Sequence, residues 1–273
     1  MLCPRMPSSP GPIKGLLLCL VALTLGAGSS PPIPTPESDF LIQTERQEII
    51  LPEPTTLNIS NPLGDIRARR AKDNQLIVIS IIQRFQKHQD DAKTTIQIEK
   101  NRGEIKTSYP SALAGSTKSG IKGRIDLTLL VPDGTDLNLQ TQSGLIEIKG
   151  VKGKLKAESK SGRIRISTAH AVEAHSGSGM VGVTLKAPSQ EEPALMSTKT
   201  GNIRADFPEK PLPSLLAMTS GTIDSKGLNH GTTAPKEDAE VHRIQIGTKP
   251  FIVQTRSEEG DIVLRAQTPG SLR

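Results

Sequence analysis

Two consecutive segments of the chain decide the fold: LNLQTQSGLIEIK, residues 137–149, and LKAESKSGRIRIS, residues 155–167. When they are aligned 18 positions apart, apolar residues match at alternate positions and Gly144 matches Gly162. Alternation with a period of two is typical of a β-strand with one buried face. Each segment is therefore expected to contain a strand, a Ser-Gly corner and a second strand.

The same pattern, a glycine followed two and often four positions later by an apolar residue, recurs along the chain. It predicts repeat corners at Gly64, Gly103, Gly123, Gly144, Gly162, Gly179, Gly201, Gly221 and Gly260. Most spacings are near 20 residues, and two are 39. Each long gap contains strand-like sequence, QLIVISIIQRF from Gln75 or VHRIQIG from Val241. About eleven turns of roughly 20 residues are therefore predicted.

Such a repeat cannot bury its apolar face alone, but stacked copies share one narrow core. We therefore predict an all-β fold, a single-domain parallel β-solenoid that is β-helix-like and covers residues 57–266. A small or polar residue, such as Ser176 or Ser257, stands three positions before the glycine, and we expect it to bond local backbone at the corner. Four Phe, one Tyr and no Trp suit a thin interior and argue against stacking of bases or sugar rings.

The N-terminus is typical of a secretory signal peptide. Arg5 and Lys14 precede the apolar run GLLLCLVALTLGA, which is too short to span a bilayer of about 30 Å. The segments predicted outside the solenoid are a signal peptide at 1–28, a Pro-rich linker and lead-in strand at 29–56, and a C-terminal tail at 267–273. The protein is therefore expected to be exported, to the periplasm, the cell surface or the extracellular space.

Both cysteines, Cys3 and Cys19, lie in the predicted signal peptide, so the exported chain would have no disulfide and no cysteine-ligated metal. The formal charge of +6 would fall by two on removal of Arg5 and Lys14. So small an excess on an exported protein argues against nucleic acid as a partner.

No metal or other cofactor is predicted. The five histidines show no metal-binding spacing and are interpreted as surface residues. A calcium ladder would need an acidic residue after the corner glycine of adjacent turns, whereas Asp65 and Asp261 lie near opposite ends of the repeat.

Three phrases carry a resemblance to a known family: NISNPLGDIRA (58–68), the stretch from VPDG to RIRIS (131–167), and SEEGDIVL (257–264). They resemble the bacterial exported family DUF4097, which is also labelled an adhesin domain. The matching residues are Asn61, Gly64, Asp65 and Ile66 in the family's Asn-x-x-Gly-Asp-Ile start, and Val131, Pro132 and Gly134 in its Val-Pro-x-Gly segment.

The resemblance covers roughly residues 57–266 and implies a secreted or cell-envelope β-solenoid. It brings no catalytic residues with it. One departure is the Trp that members often carry shortly after the first Gly-Asp-Ile, since this chain has none.

The most coherent surface feature is a basic stretch made of Lys149, Lys152, Lys154, Lys156, Lys160, Arg163 and Arg165. Lys154 and Lys156 alternate with Leu155 and should share an outward face, as should Arg163 and Arg165. This stretch is a candidate surface for an anionic ligand: an envelope polymer, lipid head groups or another envelope protein. Ordinary solubilising charge is the alternative interpretation.

The sequence thus predicts an exported, non-enzymatic, adhesin-like protein of the cell envelope or surface. One alternative is a self-assembling envelope scaffold, a homo-oligomer formed by end-to-end stacking. Another is a carbohydrate-active β-helix enzyme, which would need carboxylates that converge from adjacent turns. The 18-residue register instead places Glu147 beside Arg165 and Gln140 beside Glu158, which are not acid clusters.

Overall fold

The computed structural model describes residues 40–52, 54–85, 92–109, 124–186, 193–210, 212–225, 228, 241–246 and 253–267. Within these ranges the chain forms strands, turns and bends, without a helix. None of the described segments is an apolar helix long enough to cross a membrane. The predicted signal peptide lies outside the described residues, and so do residues 268–273 of the predicted tail. The strands all belong to one compact unit.

The strands form two sheets of ten. Sheet 1 contains, from edge to edge, β1 (Phe40–Ile50), β4 (Gln75–Phe85), β7 (Arg124–Val131), β3 (Ile66–Arg70), β9 (Ile146–Lys149), β11 (Ile164–Thr168), β13 (Val181–Leu185), β15 (Ile203–Pro208), β20 (Ile262–Gln267) and β17 (Ile223–Asp224). Sheet 2 contains β18 (His242–Ile246), β16 (Leu215–Thr219), β19 (Val253–Ser257), β14 (Ala194–Thr198), β12 (Val172–Ser176), β10 (Leu155–Ser159), β8 (Thr135–Thr141), β2 (Thr55–Asn61), β6 (Arg102–Ser108) and β5 (Lys93–Glu99).

The repeating unit is a rung: a strand in sheet 2, a corner, and a strand in sheet 1. The stack order of the rungs is β6/β7, β2/β3, β8/β9, β10/β11, β12/β13, β14/β15, β19/β20 and β16/β17. Neighbouring rungs pair in parallel, and Leu155 lies beside Leu137 as the 18-residue alignment predicts. The all-β prediction and the stacked parallel strands are confirmed. The predicted eleven turns are not, because the described residues form eight rungs.

The two long gaps between glycines account for two of the three missing turns, and Gly103, which lies inside β6 rather than at a corner, accounts for the third. The strand-like sequences predicted there do form strands, β4 and β18, but both run antiparallel to their neighbours. β5 also pairs antiparallel with β6, through a two-residue turn in which Lys100 has a φ of 51°. Of these antiparallel pairs only β5–β6 is a hairpin with a short turn, whereas β4 and β18 pair with strands that do not adjoin them in the chain. These gaps therefore add antiparallel strands near the ends of the sheets rather than complete turns.

At each end of the stack one rung is inserted out of chain order. β2/β3 lies between β6/β7 and β8/β9, so β7 enters sheet 1 between β3 and β4. At the other end, β19/β20 lies between β14/β15 and β16/β17. Each inserted rung therefore pairs on both sides with rungs that other strands separate from it along the chain, so strands far apart in the sequence hold each end of the stack together.

The core is the narrow space between the two sheets. Strands such as β8 and β10 alternate buried and more exposed residues, as their sequence pattern predicts. One continuous aliphatic cluster fills this space, from Leu76 near one end to Ile244 near the other. Phe207 is the largest fully buried side chain, so Ile, Leu, Val and Ala supply nearly all of the volume.

Most of the predicted corner glycines stack above one another between the two sheets. A Cβ on Gly162 would lie 1.9 Å from the carbonyl oxygen of Gly144, and one on Gly179 would lie 2.1 Å from that of Gly162. The same close approach recurs at Gly64, Gly144, Gly201, Gly260 and Gly221. The corner needs glycine because no side chain fits between rungs. Gly103 lies instead inside β6, against Leu57 and Ile98, and Gly123 lies outside the described residues.

The small polar residue before each corner does bond local backbone, which confirms that prediction. Ser176 Oγ accepts the Gly179 N–H at 2.8 Å and donates to the Gly162 carbonyl of the neighbouring rung at 3.3 Å. The same acceptor bond forms from Thr141, Ser159, Thr198 and Ser257. These hydroxyls form a buried polar column beside the glycines, so the corner is stabilised both within and between rungs.

Candidate functional site

The structure places the predicted basic stretch on two opposite faces of the stack. Lys156 points outward from β10 in sheet 2, whereas Arg165 points outward from β11 in sheet 1. Because the sheets share one core, their outer faces point away from each other. Lys154 and Lys160 flank β10, and Lys149 and Arg163 lie with sheet 1. Lys152 lies on the connection from β9 to β10. The seven residues therefore do not form one basic face.

The outer face of sheet 2 carries two polar rows across neighbouring strands. In the first row Asn58, Asn138, Lys156, Glu173 and Leu195 lie side by side on β2, β8, β10, β12 and β14. In the second row Ser60, Gln140, Glu158, His175 and Ser197 do the same. The rows arise because alternate residues of every strand point away from the core.

Two shallow depressions lie side by side on this face, one at each end of β10. The first, about 460 Å³, is lined by Ser60, Gln140, Gln142, Glu158, Lys160 and His175 among others. The second, about 600 Å³, is lined by Asp136, Asn138, Lys154, Lys156, Glu173 and Pro193 among others. We call these two depressions together the polar groove. A third and smaller depression around Lys156, Glu173 and His175 adjoins them.

At the centre of the polar groove, Lys156 is paired with two carboxylates of neighbouring residues. Lys156 Nζ lies 3.1 Å from Glu158 Oε1 and 4.0 Å from Glu173 Oε2. The hydrogen bond to Glu158 raises the pKa of Lys156, so the cation is held by its neighbours. Within the described part of the chain, Lys154 and Lys160 form no such pair. These two ammonium groups are therefore available to an anion.

The groups of the polar groove can also bind hydroxyls. Asn138 Nδ2 donates to Asn58 Oδ1 at 3.0 Å, and Gln140 Nε2 donates to Glu158 at 3.3 Å. His175 Nδ1 lies 2.8 Å from Ser197 Oγ. Amides, carboxylates and imidazole offer both donors and acceptors to a polar ligand.

Two carboxylates from adjacent rungs, Glu158 and Glu173, do approach the same lysine. Their side chains are 37% and 59% exposed. A catalytic acid is usually held in a desolvated environment, and these two groups are open to solvent. Their geometry is that of a surface ion-pair cluster.

The outer face of sheet 1 carries interlocked ion pairs instead of a depression. Asp65 pairs with Arg67 at 2.7 Å and with Arg124 at 3.2 Å, and its Oδ1 accepts the N–H of Leu145 in the next rung at 3.0 Å. Asp261 likewise accepts the Thr222 N–H, which lowers the Asp261 pKa. The acidic residue after a corner glycine is thus a brace between rungs. Among the described residues no group of three or more His, Cys, Asp or Glu could hold a metal ion.

Sequence reasoning missed the amides of the polar groove. Asn58, Asn138 and Gln140 form no motif along the chain, because 80 residues separate the first two. The signal that could have found them is the register: outward positions of successive repeats must align once the strands stack. The resemblance could not help, since it implies no binding residues.

Comparison with known families agrees with the fold. The family model Toastrack DUF4097 matches residues 40–265, which is most of the chain. The chain belongs to the Toastrack DUF4097 family. The resemblance drawn from the corner motifs is therefore confirmed. No curated protein matches this Toastrack chain.

Several solved structures are similar to this Toastrack protein at low identity. A candidate cell adhesion protein from Clostridium sporogenes is 14% identical with a TM-score of 0.45, and the match covers 82% of this chain and 100% of that one. A candidate adhesin from Bacteroides fragilis is 11% identical with a TM-score of 0.27, and one from Parabacteroides distasonis is 9% identical with a TM-score of 0.25. Both matches cover 82% of this chain and 97% of the other.

Proposed function

We propose that this Toastrack protein is an exported, non-enzymatic, adhesin-like interaction protein of the cell envelope, and that the polar groove binds an anionic, hydroxyl-rich envelope polymer. The single observation that carries the proposal is the pairing of two adjoining depressions, each lined by an amide side chain and by one lysine that forms no ion pair with the described residues. The N-terminal pattern of Arg5, Lys14 and an apolar run supports export.

The chemistry of the polar groove fits a polymer that carries both hydroxyl and acidic groups. Asn138 and Gln140 offer amide donors and acceptors to hydroxyls, and Lys154 and Lys160 lie at opposite ends of the groove and attract anions. The strands that carry them repeat at about 4.8 Å. A ligand with repeating groups can therefore contact several rungs at once.

A polymer fits this face better than a lipid surface does. The first depression is lined mainly by polar residues, and in the second, Leu155 and Val172 are buried and present little apolar surface to a membrane. Insertion into a lipid interface needs a larger apolar surface. The non-enzymatic part of the proposal is supported by the solvent exposure of the two carboxylates that approach Lys156.

The test is retention of the full chain on purified peptidoglycan, on polygalacturonic acid as an acidic polysaccharide, and on anionic lipid vesicles, at low and high salt. The variant Lys154→Glu with Lys160→Glu should lower the affinity for the retained polymer by about tenfold or more, because both free cations become anions. Retention of the wild type should fall at high salt.

The matched control is Arg163→Glu with Arg165→Glu, which changes the net charge equally but on the sheet 1 side. This variant should retain the polymer nearly as well as the wild type. An equal loss in both variants would mean that net charge alone governs retention, and the groove would then not be the site. Retention by vesicles alone would point to lipid, and retention by no probe would contradict the adhesin-like proposal.

A further inference from the structure

The four edge strands of the two sheets differ in how they resist further pairing. β17 has two residues, and β18 has five. β5 exposes Lys93, Thr95, Gln97 and Glu99, and charged or polar edges discourage a further strand. β1 is different, since it is 11 residues long. Among the described residues only β4 pairs with it, so the other edge of β1 leaves its backbone donors and acceptors open.

β1 also exposes aliphatic side chains beside that open edge. Ile42 is 71% exposed and Ile50 is 77% exposed. In the β1–β4 register they point to the same outer face as Ile77, Ile79 and Ile81 of β4. A long edge strand with an exposed aliphatic face is a template for another strand.

We propose that β1 pairs antiparallel with β1 of a second copy of this chain, about a two-fold axis that passes through Gln47. The two ten-stranded copies of sheet 1 would then join into one continuous sheet. Because the same strand is used by both copies, the interface closes and the product is a dimer. This contact is a closed, head-to-head form of end-to-end association, because β1 lies at one end of sheet 1. It does not depend on the proposed polymer-binding function.

The charges of β1 select this occupant and this register. With Gln47 on the axis, Arg46 of each copy lies opposite Glu48 of the other on the outer face, and Thr44 lies opposite Ile50. Opposite charges directly across a strand pair are stabilising. Ile50 of each copy then lies diagonal to Ile42 of the other, which covers the two most exposed aliphatic side chains of β1.

Neighbouring registers are disfavoured by the same charges. An axis through Glu45, Arg46 or Glu48 would place two identical charges directly opposite each other. In the isolated chain Arg46 instead pairs with Glu48 of its own strand, with Nε at 2.9 Å from Oε1. The dimer exchanges these exposed local pairs for two reciprocal pairs across the axis.

The test is the mass of the full chain as a function of concentration, measured by light scattering or analytical ultracentrifugation. The wild type should form dimers and no larger species. Arg46→Glu places Glu opposite Glu, and Glu48→Arg places Arg opposite Arg. Each change should raise the dimer dissociation constant by about tenfold or more. The double variant restores opposite charges and should restore the wild-type constant, and the two single variants mixed together should form heterodimers.

The matched control is the pair Lys106 and Glu104 on β6, which has the same two-residue spacing and an Nζ to Oε1 distance of 2.6 Å. β6 pairs on both sides, so Lys106→Glu should leave the dimer unchanged. A wild type that is monomeric at all concentrations would overturn the proposal. A dimer whose dissociation constant is unchanged by both Arg46→Glu and Glu48→Arg would also overturn it, and so would growth into filaments.

A cross-link tests the position of the axis without relying on charge. In a background with Cys3 and Cys19 changed to Ser, Gln47→Cys should form an intermolecular disulfide, because directly opposed Cβ atoms lie about 5 Å apart. The equivalent change Gln97→Cys on the β5 edge should not. Equal cross-linking of both variants would mean that collisions rather than β1 pairing bring the chains together, which contradicts the proposal.

Discussion

The middle of the stack and the β2/β3 rung, which lies next to the last rung at one end, form the same corner with different groups. From β8/β9 to β14/β15 the corner uses a hydroxyl that accepts the glycine N–H. At β2/β3 the buried Asn61 takes the place of that hydroxyl. Its Nδ2 donates to the Ile125 carbonyl at 2.8 Å, and its Oδ1 accepts from Thr107 at 2.7 Å and Tyr109 at 2.6 Å.

The difference follows from what lies on the next rung. A Cβ on Gly144 or Gly162 would meet the carbonyl of another corner glycine, whereas one on Gly64 would meet that of Ile125. The β2/β3 corner is therefore built from unique side chains that must all be present together. The middle repeats one small motif, so each corner there depends mainly on having a glycine small enough to fit against the next rung.

The largest effect is expected from filling the glycine column in the middle. The new methyl carbon of Gly162→Ala would lie only 1.9 Å from the Gly144 carbonyl oxygen. Rungs on both sides hold this corner in place, so it cannot move to make room. We expect a loss of about 3 kcal/mol or more in the free energy of unfolding, measured by urea denaturation. Gly221→Ala should cost less, because Gly221 lies in the end rung and its new Cβ would lie 2.8 Å from the Gly260 carbonyl oxygen.

The control for these variants is Gly182→Ala. Gly182 points outward from β13, and the nearest atom to its Cβ would be the Ile164 carbonyl oxygen at 3.8 Å. Alanine should be neutral or stabilising there, because it lowers the conformational entropy of the unfolded chain. If all three alanines cost the same, steric contact between rungs is not the reason for the glycine column.

The next largest effect is expected at the β2/β3 corner. Asn61→Ala removes the partner of the Ile125 carbonyl and of the Thr107 hydroxyl and one of the partners of the Tyr109 hydroxyl, which still bonds the Leu63 carbonyl. This change should cost about 2 to 4 kcal/mol. Burial raises the pKa of Tyr109, so its hydroxyl stays a donor at neutral pH. Tyr109→Phe should cost about 1 to 2 kcal/mol, since Thr107 still satisfies the Asn61 oxygen.

The comparison for Asn61→Ala is Ser176→Ala in the middle, which removes one hydroxyl from a column that has others. A loss of about 1 kcal/mol is expected in urea denaturation. A Ser176→Ala variant that costs as much as Asn61→Ala would contradict the view that the β2/β3 corner depends on a unique network.

Much of the middle of the stack could be predicted from the sequence because its physics is local and repeated. Leu137 and Leu155 align in the sequence at the spacing at which they pair in space. The ends could not be predicted this way. β4 has the same strand-like pattern as a repeat strand, and its direction depends on pairing with β7, which lies more than 40 residues away. Gly103 matches the corner pattern, yet it lies inside β6 because β5 forms a hairpin with that strand.

The candidate site was harder to predict than the fold. Lys156 and Arg165 are close in the sequence, but the corner between them sends one to each outer face. Asn58 and Asn138 are far apart in the sequence, but the parallel register brings them together. Alternation tells which side chains point outward, and only the assignment of strands to sheets tells which face they share.

The smallest expected effect is the pH dependence of one ion pair in the middle. Glu147 of β9 lies beside Arg67 and Arg165 in the neighbouring strands, and it also faces Lys149. The hydrogen bond from Arg69 holds the Glu147 pKa below its usual 4.5. Its stabilising effect is therefore complete above about pH 5 and is lost as the pH falls through the lowered folded-state value.

Glu147→Gln removes this effect and should cost about 1 kcal/mol at pH 7. The glutamine of this variant carries no charge at any pH, whereas Glu147 becomes neutral in acid. The difference between the unfolding free energies of variant and wild type should therefore shrink as the pH falls below 4.5. Asp133→Asn is the control, since Asp133 pairs with Arg70 and Lys152 in a more exposed position and should change stability less. A difference that grows toward acid pH would mean that the protonated form of Glu147, rather than its carboxylate, stabilises the middle of the stack.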